Sequence, residues 1–149
     1  MITHSEPFPG VRLHCIQDRR FKHSAMSLQY VRPMEKEEAA MNALIPSVLL
    51  RGCKSAPDLR RITQRLDDLY GASVSPISRR AGNCQTTGLY LSLMDDRFAP
   101  EGEALTEQAI AFLKELLFDY PTEQGGFLPD FVEGEKTNQI YAIEAEYND

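Results

Sequence analysis

The feature that most constrains the fold is a pair of neighbouring segments with the periodicity of β-strands. In residues 84–94, apolar and polar side chains alternate, and the apolar positions include Leu89, Leu91 and Leu93. An alternation with a period of two residues is typical of a strand with one buried face. Residues 72–80 also read as a strand, and Gly82-Asn83 supplies a turn between the two segments. The sequence therefore predicts an antiparallel β-hairpin in this region.

Two further strands are predicted nearer the N-terminus. Residues 11–17 and 25–31 both alternate apolar with polar side chains, and a short polar stretch, 18–20, lies between them. Because a short polar link usually joins antiparallel neighbours, we expect these two strands to pair with each other. We assign no element to the Pro-rich start of the chain, which contains Pro7 and Pro9.

Two helices are predicted between the two pairs of strands. The first spans about residues 35–50 and contains Pro46 within its apolar stripe. Because proline lacks a backbone N–H and clashes with the preceding turn, we expect a kink or a break there. The second helix has Ser55 as its predicted N-cap and ends at Gly71, since serine caps helices and glycine terminates them.

Two more helices are predicted after the hairpin, one over residues 102–118 and one that begins near Leu128, with a loop over 121–126. The predicted buried face of the former consists of Leu105, Phe112, Leu113, Leu116 and Leu117. The predicted order is strand, strand, helix, helix, strand, strand, helix, helix. This order is typical of an α+β fold in which helices pack on one face of an antiparallel sheet.

Residues 1–149 are expected to form a single α+β domain, because this length suits one domain. The end of the last predicted helix is acidic, with Glu144, Glu146 and Asp149. Negative charge at a helix C-terminus is unfavourable, because the helix dipole is negative there. We therefore expect the natural polypeptide to continue and this domain to be truncated at its C-terminus.

Composition narrows the possible partners. The chain has 16 Lys and Arg residues against 22 Asp and Glu residues, which gives a net charge of −6. Nucleic-acid binders usually have a basic surplus, so we do not expect a nucleic-acid partner. No apolar run approaches the roughly 18 residues that a membrane span needs. The N-terminus also lacks the apolar region of a signal peptide, and we expect a cytoplasmic protein without membrane association.

The cysteines and histidines show no metal-binding spacing. The three cysteines, which are far apart in the sequence, are Cys15, Cys53 and Cys84. Each is expected to pack as a small buried apolar residue. The three histidines, which have no partner at i+3 or i+4, are His4, His14 and His23. We expect them at surface or loop positions, and we expect neither a cofactor nor a metal ion.

Three phrases of the sequence resemble a known family. They are Leu50-Arg51-Gly52-Cys53, then Ile62, Leu66, Asp67, Leu69, Tyr70, Gly71 and Ala72, and finally Phe131, Glu135 and Lys136. Together they resemble the N-terminal domain of the insulinase/pitrilysin-type metallopeptidases, the inverted zincins with a His-x-x-Glu-His helix. The resemblance covers nearly the whole chain. The third phrase has one residue more between its Phe and its Glu than the family has.

The resemblance implies a site that has lost its chemistry. In active members the first helix carries two histidine ligands of zinc and a glutamate that acts as general base, and a later helix carries a glutamate ligand. Aligned on the phrase around Arg51, Ala43 and Ser47 replace the two histidines and Pro46 replaces the base. Ala142 replaces the last ligand. Alanine cannot bind a metal, serine is a poor zinc ligand and proline cannot take up a proton, so no catalytic or metal-binding residue is expected.

The carboxylates that remain on the last predicted helix do not restore this site. They are Glu133, Glu135, Glu144 and Glu146. We expect them to be solvent-exposed charges, and the alternative is that any of them contacts a partner or an ion.

The resemblance therefore implies a degenerate bacterial member, a non-catalytic zinc-peptidase-like subunit. Such a subunit pairs with or supports an active homologous peptidase and helps to enclose or bind peptide substrate. Two alternatives stay open: a metal-dependent peptidase whose active site lies outside this segment, and a peptide-binding module without catalysis. A truncated sheet also exposes an unpaired edge, so we expect that any homodimer of this segment would be an artefact of truncation.

Overall fold

The computed structural model describes residues 1–146, and Asp149, predicted to lie near the end of the last helix, falls outside the described residues. The strands in this range are β1 (Ile2–Phe8), β2 (Val11–Ile16), β3 (His23–Pro33), β4 (Ser73–Ala81), β5 (Cys84–Met94), β6 (Thr122–Glu123) and β7 (Gly126–Phe127). The α-helices are α1 (Ala39–Leu49), α2 (Leu59–Asp68), α3 (Leu105–Phe118) and α4 (Pro129–Glu146). The fold is therefore of the α+β class, as predicted.

The main sheet is antiparallel, with β5 between β3 and β4. The predicted hairpin is confirmed, because Ala81 at the end of β4 lies opposite Cys84 at the start of β5. The three leucines of β5 are at most 1% exposed and join the same core cluster as α3: Leu89, Leu91 and Leu93. The alternation in the sequence thus marks the strand at the centre of the fold.

The predicted pairing of the first two strands is wrong. β3 pairs with β5, and this register sets Met26 opposite Leu91 and Leu28 opposite Leu89. The pairing is favoured because it lays the half-buried side chains of β3 against the core. A Cβ atom at Gly88 would collide with the backbone of Leu28, so glycine permits the close approach of the two strands.

β2 pairs instead with β1. Strand β1 was not predicted, because the N-terminal segment contains prolines. The two strands form a separate two-stranded sheet. Gly10 makes the turn with φ +79°, and its N–H donates to Glu6 Oε1 at 2.9 Å. Every residue of β1 and β2 is exposed, so this hairpin stands apart from the core.

Helix α1 runs through Pro46 without a break, which was one of the two outcomes expected there. The proline ring is less than 2% exposed. Burial of apolar surface stabilises a fold by about 25 cal/mol per Å². This gain offsets part of the free-energy cost of the hydrogen bond that proline cannot donate. Helical bonding then resumes, since the Leu50 N–H donates to the carbonyl of Pro46 at 3.3 Å.

Helix α2 begins later than predicted. Its N-cap is Asp58, whose carboxylate accepts from the backbone N–H of Arg61 at 2.8 Å, and Ser55 lies outside the helix. Ser55 instead donates its hydroxyl to Glu115 on α3. The predicted end is confirmed: Tyr70 and Gly71 both have positive φ, and the Gly71 N–H donates to the carbonyl of Leu66 at 3.1 Å.

Helix α3 supplies the largest buried face on the helical side of the sheet. The predicted face is confirmed, since its five apolar residues are at most 7% exposed: Leu105, Phe112, Leu113, Leu116 and Leu117. The predicted loop after α3 contains a small hairpin, β6–β7. Within residues 1–146, none of the helices is both long enough and apolar enough to cross a bilayer.

Candidate functional site

The positions aligned with the family's zinc helix lie together on α1. Residues three and four apart share one face of an α-helix, so Ala43, Pro46 and Ser47 form a continuous strip. Pro46 is buried, whereas Ala43 and Ser47 are half-buried. Ala142, aligned with the last ligand, is exposed on α4. We refer to these four residues as the degenerate site.

Helices α1 and α4 pack against each other. Arg51, just after the end of α1, forms an ion pair with Glu135 of α4, with 3.2 Å between Nη1 and Oε1. Its guanidinium carbon lies 5.9 Å from the centroid of the Phe131 ring. Asn138 also donates to Glu135, at 3.3 Å. Two residues of the phrases that carry the family resemblance, Arg51 and Glu135, therefore hold the two helices together.

The prediction that Glu135 is a solvated charge is wrong. Its side chain is only 15% exposed, because the packing of α1 on α4 covers it. The prediction is confirmed for Glu133, which is exposed and pairs with Lys136 at 3.3 Å. It is also confirmed for the exposure of Glu144 and Glu146.

The position of Ala142 follows from helix geometry. It lies seven residues after Glu135, which is two helical turns and roughly 10 Å along the axis. Residues seven apart also point to nearly the same side of a helix. Ala142 thus shares the side of α4 on which Glu135 meets α1. None of the four side chains of the degenerate site is a carboxylate or an imidazole, so these four residues offer no general base.

A buried polar group lies beneath the start of α1. Gln85 of β5 is 6% exposed, and its amide nitrogen donates to the carbonyl of Ala39 at 2.8 Å. Its Oε1 atom has no hydrogen-bond partner among residues 1–146. Gln85 fixes the first turn of α1 to the sheet. The sequence contained a signal for this residue, since it is polar at the same alternation phase as Leu89.

A group of polar contacts around Cys53 joins the loop after α1 to α3. Cys53 is fully buried, and its thiol lies 3.9 Å from Glu115 Oε2 and 3.7 Å from Ser55 Oγ. Arg65 also approaches Glu115, at 3.8 Å. These contacts tie the loop after α1 to α3. The burial predicted for the cysteines is confirmed for Cys53.

The same prediction is wrong for Cys15, which is exposed on the β1–β2 hairpin, and Cys84 is half-buried. A wholly exposed two-stranded ribbon has no buried face in which Cys15 could pack.

The predicted exposure of the histidines is confirmed. However, the hairpin register places His4 directly opposite His14, with 2.5 Å between their Nδ1 atoms. A search for partners at helical spacing misses such a pair, because strand pairing brings together residues that are far apart in sequence.

Large apolar side chains remain exposed on the two helices that carry the degenerate site. On α1 and α4 they are Met41, Ile45, Ile140, Tyr141 and Ile143, with 39–65% of each residue exposed. Helix α4 has no buried residue over its 18 described positions. Large apolar side chains that remain exposed on neighbouring helices are typical of a surface that contacts another protein segment.

A shallow groove of about 440 Å³ lies elsewhere, at the C-terminal end of α3. It is lined by Cys53, Lys54, Pro57, Phe118, Asp119, Tyr120 and Pro121. None of the residues of the degenerate site lines it.

Comparison with known proteins gives a match to a protein whose name describes an inactive metalloprotease. The chain is 30% identical over 140 residues to a protein of Bacillus subtilis (strain 168) named "Probable inactive metalloprotease YmfF". The match covers 94% of this chain and 33% of that protein. No protein-family model matches the chain.

The fold is shared with a solved structure, described as the crystal structure of a conserved protein from Enterococcus faecalis V583. The TM-score is 0.92 and the sequence identity 22%, over 99% of this chain and 35% of that chain. At this identity the likeness shows the fold alone. The chain thus spans about a third of the length of each of these two proteins.

Proposed function

We propose that this chain is part of a non-catalytic, zinc-peptidase-like subunit that pairs with an active homologous peptidase. In this role it helps to enclose or bind the peptide substrate. The observation that carries the proposal is the degenerate site, where α1 and α4 pack together but the aligned ligand positions hold Ala43, Ser47 and Ala142. The site therefore offers a surface without the chemistry of hydrolysis.

We place the subunit in the insulinase/pitrilysin type, as a bacterial and cytoplasmic protein. The support for the family assignment comes from two particular residues. Arg51 and Glu135 come from two separate phrases of the family pattern, and they meet in one ion pair. The similarity to a protein named as an inactive metalloprotease is in line with this assignment.

The chain's own residues suit the binding of a protein partner or a peptide. The apolar side chains around the degenerate site gain free energy when they leave water, by about 25 cal/mol per Å² of buried apolar surface. Arg51 and Gln85 fix α4 and the start of α1 to the rest of the fold. A surface held in this way loses little conformational entropy on binding.

The experiment measures association between the full-length protein and a homologous peptidase with an intact His-x-x-Glu-His helix. We expect co-purification of the two proteins and peptide hydrolysis only when the active peptidase is present. The double substitution Ile45→Ser and Ile143→Ser is expected to weaken the association at least about tenfold, or 1.4 kcal/mol. Leu59→Ser is the matched control, because Leu59 is 49% exposed on α2, away from the degenerate site. It should change the affinity less than twofold.

Three results would contradict the proposal. Zinc-dependent hydrolysis by the full-length protein alone would favour a peptidase whose active site lies outside this segment. Peptide binding by a self-contained protein that ignores the active homologue would favour a binding module. Equal effects of the α1–α4 substitutions and of Leu59→Ser would show that the degenerate site is not the contact surface.

A further inference from the structure

The β1–β2 hairpin brings two histidines into contact that are ten residues apart in sequence. His4 and His14 are direct partners in the antiparallel register. Their Nδ1 atoms lie 2.5 Å apart, and the rings meet edge to face with 4.7 Å between centroids and 72° between planes. Both side chains are exposed. Two nitrogen atoms therefore converge at one accessible point of the surface.

Two converging imidazole nitrogens require a positive centre between them. Each Nδ1 carries either a proton or a lone pair, and two lone pairs at this distance repel each other. One proton in an N–H···N hydrogen bond satisfies the pair. A divalent metal ion satisfies it as well, since neutral imidazole is the commonest metal ligand in proteins. We propose that His4 and His14 form a two-histidine site for a late transition-metal ion such as Zn²⁺ or Ni²⁺.

The geometry requires only a small opening of the pair. Zinc–nitrogen bonds of about 2.0–2.1 Å at a tetrahedral angle set two nitrogen ligands roughly 3.3 Å apart. The two Nδ1 atoms must therefore separate by somewhat less than about 1 Å. The hairpin permits this shift, because no residue of β1 or β2 is buried. The backbone ladder keeps the two rings opposite each other, and the Gln17 N–H extends it by donating to the Met1 carbonyl at 2.8 Å.

The protons balance without any further reactant. In the metal-free pair one neutral ring holds its proton on Nδ1 and the other holds its proton on Nε2. In the metal complex both rings hold their proton on Nε2, and both Nδ1 lone pairs bind the ion. Metal binding thus needs one change of tautomer and no net release of a proton. Water fills the remaining coordination positions, so the affinity is lower than that of a four-ligand structural site.

The site is independent of the degenerate site, because it uses residues of the β1–β2 sheet and none of α1 or α4. Glu6, a carboxylate on the same strand, is directed toward the turn, where its Oε1 accepts from the N–H of Gly10. Cys15 follows His14 directly but is opposite Thr3, so it points to the other face of the ribbon. The two histidines are therefore the ligands that the hairpin provides on this face.

The test is a calorimetric titration of the 149-residue chain with Zn²⁺ at pH 7.5 under reducing conditions. We expect one ion per chain, and at least tenfold weaker binding for His4→Ala and for His14→Ala. His23→Ala and Cys15→Ser are matched controls, since His23 is an exposed histidine on β3 and Cys15 neighbours His14. Each control should change the affinity less than twofold.

A second measurement keeps the proposal testable if a variant fails to fold. In the unmodified chain, Zn²⁺ should shift the imidazole ¹⁵N resonances of His4 and His14 and leave those of His23 unchanged. Absence of binding would overturn the proposal. So would an equal response of all three histidines, or a loss of affinity on substitution of only one member of the pair.

Discussion

The α1–α4 region and the β1–β2 hairpin carry opposite combinations of packing and chemistry. Helix α1 lies on the core through Val48 and Leu49, yet the four residues of the degenerate site have no side chain that binds zinc or takes up a proton. The hairpin has no buried residue, yet it places two imidazoles in contact. This difference shows that a well-packed scaffold and a set of chemically active side chains are separate properties of a chain.

The two regions also differ in how they fix their geometry. On α1, the helix itself sets residues three and four apart on one face. On the hairpin, the register between two strands sets His4 opposite His14. A helix can thus hold the layout of a site whichever side chains occupy it. A strand pair creates a layout that the spacing along the sequence does not reveal.

The largest expected effect comes from giving the degenerate site the ligands that it lacks. In a His4→Ala background, the changes Ala43→His, Ser47→His and Ala142→Glu should raise the affinity for Zn²⁺ at least about 100-fold, or about 2.7 kcal/mol. Two histidines four residues apart and a facing carboxylate supply three ligands of a tetrahedral site. Calorimetry measures the gain.

The matched control for this design omits Ala142→Glu. It should bind zinc about tenfold more weakly than the full set, because one ligand is missing. If the full set binds no better than its parent, the alignment that places Ala43, Ser47 and Ala142 at one site is wrong.

The next effect concerns the ion pair that joins the helices. Arg51→Met should lower the free energy of unfolding by about 2 kcal/mol, because it leaves the half-buried carboxylate of Glu135 without its cation. Urea denaturation measures this change. Lys136→Met, which removes the cation of the exposed pair with Glu133, should cost less than about 0.5 kcal/mol. Equal costs of the two substitutions would show that Arg51 does not hold α1 to α4.

A smaller effect is expected at the attachment of the hairpin to the sheet. Arg97 donates to the carboxylate of Asp95 at 2.7 Å and to the carbonyls of Arg19 and Phe21, in the segment between β2 and β3. The Arg97 guanidinium lowers the pKa of Asp95 from 3.8 to about 2. The stabilisation by Asp95 is therefore fully present above pH 4 and is lost as the pH falls through about 2.

Asp95→Asn should accordingly cost about 1 kcal/mol at pH 7 and little at pH 2, a value reduced for partial solvent screening. Chemical denaturation across this pH range measures the change. Amide hydrogen exchange should accelerate around residues 19–21 and remain unchanged in α1. A destabilisation that is independent of pH would show that the charge of Asp95 is not the cause.

The smallest effect is expected within the hairpin itself. Leu13→Ser should change the free energy of unfolding by less than about 0.5 kcal/mol, because Leu13 is 54% exposed. Leu91→Ala, at a position with no exposure, should cost about 2–5 kcal/mol. Thermal unfolding of the two variants compares them. A large cost for Leu13→Ser would show that the hairpin packs against the core.

Local patterns predicted the elements whose partners lie nearby in sequence. The β4–β5 hairpin followed from the leucine alternation and from the Gly82 turn, since both strands and the turn form one continuous segment. The pairing of β3 with β5 could not be predicted in the same way. It joins Met26 to Leu91 across the two helices α1 and α2, and the burial of their side chains selects it.

The residues of the candidate site show the same difference between what local patterns predict and what long-range contacts decide. Sequence reasoning identified Ala43, Pro46, Ser47 and Ala142 through a family resemblance, and their roles as replaced ligands remain a prediction. It missed Gln85 and mistook Glu135 for a solvated charge, because the burial of each depends on α1 lying above the sheet and beside α4. It expected a kink or a break at Pro46, and the break is absent: the helix continues there with the proline ring buried, and this burial is a tertiary effect.

The sequence by itself determined the four helices, the β4–β5 hairpin and the side-chain chemistry that the strip on α1 lacks. These properties depend on residue identity and on periodicity over a few neighbours. Only the tertiary structure decided that Arg51 meets Glu135, which is 84 residues away, and that β3 joins β5. Contacts of this kind depend on which apolar faces are buried together. That choice minimises the free energy of the whole fold and is not encoded in any single segment.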